Sequence, residues 1–168
     1  TLKAAQVMSA DACSLMPRET DSLSLRIAAA HGLSEEIVSA TRVAIGQGIA
    51  GYVAATGRTM LLHSLNDDPV FHDKPVQRIP GVGSSIIIPI KDDRDTVHGV
   101  LCIRRSDKAP RFTEDDSRLM SLFARHASFA INNGRLYQKL TSKLQELATL
   151  SALTETITST LHSNLWGT

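Results

Sequence analysis

The sequence predicts an α+β fold in which an antiparallel sheet is flanked by helices and followed by one long C-terminal helix. The runs SSIIIPI (84–90) and TVHGVLCIRR (96–105) are rich in β-branched residues, and only the five residues KDDRD separate them. A parallel pair would need a crossover of a dozen or more residues, so these runs predict an antiparallel hairpin. From Thr113 onward, apolar residues recur at intervals of three and four, which predicts one helix of about 50 residues.

Turn signals predict a first hairpin near the N-terminus. DACSLM (11–16) and SLSLRIAAAHG (22–32) are apolar or alternating, and PRETD separates them. Such a pair of runs around a Pro- and Asp-containing turn is typical of two antiparallel strands. Ser34, followed by two acids, then predicts the start of a short helix.

The middle of the chain combines a short helix, a strand and a long polar segment. VAATG allows about two helical turns before Gly57 ends the helix. TMLLHSL (59–65) has the composition of a strand. Segment 66–83 contains three prolines, so it is expected to carry no long regular element and to be the least protected internal segment.

Charge and cysteine content exclude several classes of protein. The net charge is +1, and the 18 basic residues are scattered among 17 acids, so no basic stripe indicates nucleic acid as a partner. Cys13 and Cys102 lie far apart with no third thiol, which predicts two buried apolar residues rather than a disulfide framework or a zinc site. No apolar run reaches the roughly 20 residues of a membrane span. We therefore expect no direct membrane contact and a cytoplasmic domain.

The stretch IGQGIAG (45–51) contains Gly46-x-Gly48-x-x-Gly51, the glycine pattern of dinucleotide-binding folds. Such a site requires a parallel sheet with a full helix after the glycines. Here a short helix, a proline-rich segment and an antiparallel hairpin follow. We therefore expect no NAD binding and assign the glycines to a tight turn and the close packing of a small helix.

The order of these pieces resembles that of a known family. The run VAIGQGIAGYVAATGRTMLLHSLNDDPVF (43–71) resembles the central signature of GAF domains, and SSIIIPI, HGVLCIRR and RFTEDDSRLMSLFARHASFAINNGRLYQKL resemble their last two core strands and final helix. The resemblance covers residues 5 to 140 approximately. It implies an antiparallel sheet of five or six strands, helices on both faces, and a pocket beneath the short helices and the long loop. In this interpretation Gly46, Gly48 and Gly51 form the hinge into the helix that roofs the pocket.

The resemblance also implies candidate ligand-binding residues, which are Phe71, His72, Arg78, Ser84 and Ser85. His72 and Arg78 are suited to an anion, or they are ordinary exposed charges of a loop. The pocket is either open to a small molecule or filled by Phe71, Val76 and Ile79. The sequence indicates no particular ligand or cofactor.

Catalytic and cofactor motifs are missing from the sequence. The six histidines show neither HExxH nor paired spacing, and no nucleophile elbow occurs, so we expect no metal site and no enzyme activity. No cysteine lies between Cys13 and Cys102, which opposes covalent bilin attachment and the thiol chemistry of the sulfoxide-reducing GAF proteins. GAF domains that bind cyclic nucleotides carry a pattern of Asn-Lys, then Phe, then Asp-Glu. This chain has Arg105-Ser106, Phe112 and Asp115-Asp116, so it lacks the Asn-Lys pair.

The C-terminal region predicts a dimer. We assign residues 1–137 to the GAF domain, with a truncated N-terminal helix, and residues 138–168 to a coiled-coil linker helix that leads to a missing downstream domain. The apolar stripe advances 25 residues in seven steps, a spacing between those of a coiled coil and a straight helix. Its members are Leu136, Leu140, Leu144, Leu147, Leu150, Leu153, Ile157 and Leu161. One helix cannot bury such a stripe alone, so we expect a parallel homodimer through this helix and the helical residues 2–9.

Two functional hypotheses follow. The first is a sensor module of a bacterial-type signalling protein, such as a two-component system, which binds a small molecule and relays the state of the pocket through the C-terminal helix. The second is a purely structural dimerisation module without a ligand. Cyclic-nucleotide binding and an NAD-dependent enzyme are weaker alternatives.

Overall fold

The computed structural model describes residues 1–19, 22–63 and 81–166. Within these ranges the chain forms four helices and seven strands. Their order is α1 (Leu2–Val7), β1 (Ala12–Pro17), β2 (Ser24–Arg26), β3 (Ala29–His31), α2 (Glu35–Ala40), β4 (Arg42–Ala44), α3 (Gly48–Thr56), β5 (Met60–Leu62), β6 (Val82–Lys91), β7 (Val97–Ser106) and α4 (Glu114–Trp166).

The main sheet has five strands in the order β3-β1-β7-β6-β5, and each neighbouring pair is antiparallel. Strands β2 and β4 form a separate two-stranded antiparallel sheet. The predicted α+β class, with a five-stranded antiparallel sheet, flanking helices and a long C-terminal helix, is confirmed.

The β6–β7 hairpin forms the centre of the sheet because its β-branched side chains are buried on both faces. Ile87 and Cys102 pair across the strands and face α3, as part of the core under that helix. Ile86 and Ile103 pair one position along, so they project to the opposite face and are fully buried there. A strand that is covered on both faces reads as a continuous apolar run, which explains the composition of SSIIIPI.

The hairpin turn is held by one carboxylate. Asp92 Oδ2 lies 2.8 Å from His98 Nε2, and Asp92 Oδ1 accepts the backbone N–H groups of Arg94 and Thr96, each at 2.9 Å. These hydrogen bonds lower the pKa of Asp92 from its ordinary value of 3.8 to about 2, and the hydrogen bond with His98 has the largest effect.

Because the pKa of Asp92 is lower in the folded than in the unfolded state, its contribution to stability is present above pH 4 approximately and is lost as the pH falls toward 2. Asp92→Asn is expected to lower the urea midpoint at pH 6, with a difference from wild type that shrinks between pH 4 and pH 2. Asp93→Asn, at an exposed neighbour, is the matched control. An Asp92→Asn difference that is constant with pH would contradict this assignment.

The predicted first hairpin is wrong in one respect. The single strand expected over residues 22–32 is two strands: β3 pairs with β1 as expected, whereas β2 pairs with β4. Leu25 and Ile27 are buried in the core under α3, but Leu23 is 70% exposed despite the same alternation. The split allows Leu25 to reach that core from a second sheet, which sequence alternation alone does not reveal.

Helix boundaries follow the predicted caps. The Ser34 side chain accepts the N–H of Ile37 at the start of α2. At the start of α4, Thr113 N–H donates to Asp116 Oδ2 at 2.9 Å and Asp116 N–H donates to Thr113 Oγ1 at 3.2 Å, which is a capping box with Asp in place of Glu. Gly57 ends α3 in the left-handed conformation, as predicted.

The chain divides into two compact units, Thr1–Phe129 and Ala130–Thr168. The first contains both sheets and the core. The described part of the second is helical throughout. The boundary predicted at residue 137 stays a prediction.

Candidate ligand-binding site

The glycine segment forms the turn between β4 and α3. Gly46 and Gly48 have φ of +87° and +58°, a region that favours glycine. Gly46 N–H donates to Gly51 O at 2.8 Å, which closes the turn on the first residues of α3. Strand β4, which precedes the glycines, is three residues long and pairs antiparallel with β2. A dinucleotide site requires a strand of a parallel sheet directly before its glycines, and β4 is not such a strand.

Gly51 is required for a different reason, which is the close approach of two backbone segments. A Cβ atom at this position would lie 2.3 Å from Ala44 O and 3.2 Å from Gly46 N. The absence of a side chain at Gly51 therefore allows α3 to pack directly on the end of β4. All three glycines have structural roles in the turn that leads into α3. Their role as the hinge of a pocket roof stays a prediction.

Helix α3 covers one face of the main sheet, at the position where the family resemblance places the pocket. Its Val53 and Ala54 are buried in a core that also receives Leu25 from β2 and Leu62 from β5. The remaining buried members of this core are Met16, Ile27, Ile87, Val100 and Cys102. The described part of this face is therefore largely apolar.

The two candidate serines lie on opposite faces of the sheet because they are consecutive residues of β6. Ser85 pairs with Leu62 and shares its face with Ile87, so it belongs to the α3 face and is partly exposed. Ser84 is 2% exposed on the other face, where its Oγ accepts the N–H of Phe112 at 3.1 Å. The structure thus gives Ser84 a structural contact and leaves Ser85 on the candidate ligand face.

We predict that Ser84→Ala lowers the free energy of unfolding by about 1–2 kcal/mol, because the buried N–H of Phe112 loses its acceptor. Ser85→Ala should change it by less than about 0.5 kcal/mol, as expected away from buried polar contacts. Urea denaturation of both variants measures the difference. Equal effects of the two substitutions would show that the Ser84 hydrogen bond does not contribute to stability.

The other three candidate ligand-binding residues, Phe71, His72 and Arg78, lie outside the described residues, as does most of the segment 66–83. Their assignment to the pocket, and the choice between an open and a filled pocket, stay predictions.

Arg105, Phe112 and Asp116, which belong to the partial cyclic-nucleotide pattern of the sequence, form a cluster in the structure. The Arg105 guanidinium lies 4.1 Å from the centre of the buried Phe112 ring and donates to Pro110 O at 3.1 Å. It also donates through Nε to Met8 O at 3.1 Å and lies 3.7 Å from Asp116 Oδ2. These contacts join the end of α1, β7 and the start of α4. The residues that partly match the cyclic-nucleotide pattern therefore have a structural explanation in this chain.

The two cysteines are buried and free, as predicted from the sequence. Ser14 pairs with Cys102 while Cys13 pairs with Ile103, so the two thiols project to opposite faces of the sheet. Burial raises the pKa of the Cys13 thiol to about 11 and also raises that of Cys102. Both thiols are therefore protonated near neutral pH, a state unsuited to nucleophilic chemistry.

A shallow surface depression of about 290 Å³ lies near the end of β1, and it is lined by Pro17, Arg18, Glu19, Arg26, Ile27 and Ala28. Glu19 accepts hydrogen bonds from Ser24 Oγ at 2.6 Å and Ser22 Oγ at 2.8 Å, and its other oxygen bonds Arg42 at 2.9 Å. These bonds lower the pKa of Glu19 to about 2. The carboxylate thus ties β2 and β4 to the end of β1 and is not poised as a general base near neutral pH.

The described residues form neither a metal cluster nor a membrane-spanning helix. These residues contain no group of three His, Cys, Asp or Glu side chains arranged to hold a metal ion. No helix in the same ranges combines the length and the apolar composition needed to cross a bilayer.

The predicted stripe of α4 is exposed in the single chain. Its six described members are between 54% and 64% exposed, and they are Leu136, Leu140, Leu144, Leu147, Leu150 and Leu153. The side chains of Ile157 and Leu161 lie outside those that the structure describes. The first unit adds exposed apolar residues on α1, namely Leu2 and Val7.

Comparison with known proteins shows that the chain is similar to parts of longer proteins. The chain is 31% identical over 131 residues to the Nif-specific regulatory protein of Herbaspirillum seropedicae, an alignment that covers 76% of this chain and 23% of that protein. It is 30% identical over 95 residues to the dual 3',5'-cyclic-AMP and -GMP phosphodiesterase 11A of Takifugu rubripes, covering 55% of this chain and 10% of the relative. The chain thus spans less than a quarter of the length of either relative.

Solved structures show the same fold. The GAF domain of the phosphoenolpyruvate-protein phosphotransferase from Acinetobacter superposes with a TM-score of 0.69 at 19% identity, covering 82% of this chain and 80% of that one. The GAF-B domain of DevS from Mycobacterium smegmatis gives a TM-score of 0.65 at 21% identity, covering 83% and 92%. The GAF domain family model, described as GAF_2, matches residues 1–132. With the sheet order, the glycine hinge and the capped helix α4 agreeing with this match, the chain belongs to the GAF domain family.

Proposed function

We propose that this chain is a non-catalytic module of a multidomain signal-transduction protein, which senses a small molecule, forms a homodimer and relays the state of its pocket through α4. The observation that carries the proposal is the exposed leucine stripe on α4 of a GAF domain. The similarity to a regulatory protein, of which this chain matches 23%, supports a role as one part of a larger protein.

The stripe supports dimerisation because exposed leucines at coiled-coil spacing gain free energy by association. Full burial of one leucine side chain is worth roughly 1.5–3 kcal/mol. The same helix of a second chain, in parallel orientation, offers a matching stripe at every step. A parallel pair also places the two C-terminal ends side by side. A dimeric output domain requires this arrangement.

The steps of three between Leu144, Leu147, Leu150 and Leu153 do not fit a single heptad register. Such a run produces either a locally overwound, imperfect coil or two alternative registers. In the second case, the change of register would transmit an event in the pocket along the helix.

The absence of catalysis is supported by the groups that the structure describes. Glu19 and Asp92 are held ionised by their hydrogen bonds, and both thiols are held protonated by burial. A general base or nucleophile that works near neutral pH needs the opposite tuning.

Native mass spectrometry of freshly purified protein tests the sensing role directly. We expect a dimer that retains a small molecule, with a mass difference that disappears on denaturation. Dimers without any retained molecule, in protein that also fails to bind a metabolite library, would reject sensing. Calorimetric titration with NAD and NADP provides a control for which we expect no binding.

The second candidate is a purely structural dimerisation module, and one observation favours it. The described core under α3 is filled by apolar side chains, with Leu25 and Val53 both at 0% exposure. A dimer that binds no small molecule in the mass-spectrometric and library experiments would support this candidate instead.

A further inference from the structure

Two consecutive arginines of β7 have very different surroundings. Arg105 makes hydrogen bonds to Met8 and Pro110, and its guanidinium lies over Phe112. Arg104 projects to the opposite face, and no acceptor in the ranges 1–19, 22–63 and 81–166 forms a hydrogen bond or an ion pair with its guanidinium. Both residues are partly buried, so this contrast is not a difference between a core and a surface position.

Arg104 lies on the face of the sheet that α3 covers. It pairs with Ser85 in β6 and with Ala12 in β1, and Ser85 pairs in turn with Leu62. These four residues, Ala12, Arg104, Ser85 and Leu62, form one cross-strand row of the sheet. The next row on the same face contains Cys102 and Ile87. Burial raises the pKa of Cys102 and the positive charge of Arg104 acts against that rise, which agrees with a guanidinium near this thiol.

Asp11, the residue before Ala12, projects to the opposite face of the sheet and forms no described ion pair with Arg104. Its Oδ2 accepts the N–H of Ser106 at 2.7 Å. A partly buried guanidinium has five N–H donors in a planar fork, and it is stabilised by an oxyanion that accepts two of them. Ser85, the partner of Arg104 in the neighbouring strand β6, has a hydroxyl that can donate a further hydrogen bond to the same oxyanion.

We propose that Arg104 and Ser85 form the oxyanion-binding end of the GAF pocket, which takes the carboxylate or phosphate of a small molecule. The body of this ligand is apolar, because most residues in the neighbouring row of the same face, among them Cys102, Ile87 and Met60, are apolar. This proposal rests on the proposed sensing function and specifies the chemical class of its ligand.

The test uses the whole chain labelled with ¹⁵N and follows the Nε–H resonances of its arginines. The probes are hexanoate, hexyl phosphate and the neutral hexanamide. We expect hexanoate or hexyl phosphate to shift the Arg104 resonance saturably, with little change at Arg105, whose donors are already engaged. Which of the two anions binds more tightly distinguishes a carboxylate from a phosphate ligand.

Variants then test whether the charge of Arg104 is responsible. Arg104→Met should raise the Kd of the anionic probe at least tenfold, Arg104→Lys should retain part of the affinity, and Arg118→Met, at an exposed position of α4, should have no effect. The thermal midpoint of each variant is measured as well. A lowered midpoint of Arg104→Met with unchanged affinity would overturn the proposal, since Arg104 would then have only a structural role.

Two further outcomes separate this proposal from the proposed function. Equal affinity for hexanamide and both anions, unaffected by Arg104→Met, would reject the oxyanion end while leaving a ligand pocket in place. No binding of any probe to the wild type would also reject the oxyanion end. In that case the native mass-spectrometric experiment decides independently whether the domain senses another class of molecule.

Discussion

Replacing Gly51 with alanine is expected to lower the free energy of unfolding by about 3 kcal/mol, the upper end of the usual cost of overpacking. The added Cβ would lie 2.3 Å from Ala44 O, and backbone atoms cannot rotate away as a side chain can. The first turn of α3 must then move away from β4, which also weakens the hydrogen bond from Gly46 N–H to Gly51 O. Denaturation with urea, followed by circular dichroism, measures this loss.

Two other glycines serve as matched comparisons. Gly48 has open space around a Cβ but a φ of +58°, so Gly48→Val should cost about 1–2 kcal/mol through its backbone conformation alone. Gly134 is exposed within α4 with nothing near a Cβ, so Gly134→Ala should increase helix stability by about 1 kcal/mol. A Gly51→Ala protein as stable as the wild type would show that α3 is not packed on β4 as described.

Truncation of the chain after Tyr137 is expected to weaken the proposed homodimer by at least a hundredfold in Kd, roughly 2.8 kcal/mol. The truncation removes all but one of the six described stripe leucines, which are more than half exposed in the single chain. Light scattering and sedimentation over a range of concentrations measure the two dissociation constants. A chain that remains monomeric at high concentration with its tail intact would defeat the dimer proposal.

Single substitutions separate the stripe from the rest of the helix. Leu144→Asp should weaken the dimer, because it places a charge in the seam, whereas Gln145→Asp places the same charge at the next position and should have little effect. A cysteine at the stripe position Leu140 tests orientation, because a parallel dimer places the two copies of one stripe residue opposite each other for rapid disulfide formation. A Leu140→Cys protein that is dimeric by light scattering but fails to crosslink to itself would indicate an antiparallel pair, which could not feed two outputs side by side.

Much of the fold was predictable because its signals are local. The capping box of Thr113 and Asp116, the Ser34 cap and the αL end of α3 at Gly57 each depend on a few neighbouring residues. The β6–β7 hairpin was predictable because its strands are long, β-branched and separated by a short turn. These features need no knowledge of distant contacts.

The first hairpin shows where local signals fail. Leu23, Leu25 and Ile27 alternate as one strand would, yet only Leu25 and Ile27 are buried, and the segment divides between two sheets. The division depends on the core under α3, whose members come from six separate elements. No periodicity in an eleven-residue window contains that information.

The candidate site divides in the same way. The sequence by itself determined the family, the tight glycine turn before a short helix, the long helix and the spacing of its leucines, because these depend on residue order and spacing. Only the tertiary structure decided that Ser84 and Ser85 serve different faces and that Gly51 permits a backbone contact. It also decided that, among the described residues, the guanidinium of Arg105 has hydrogen-bond partners and that of Arg104 has none. The physical reason is that strand alternation and register determine the face and the cross-strand neighbours of a side chain, and register is set by pairings between residues far apart in the chain.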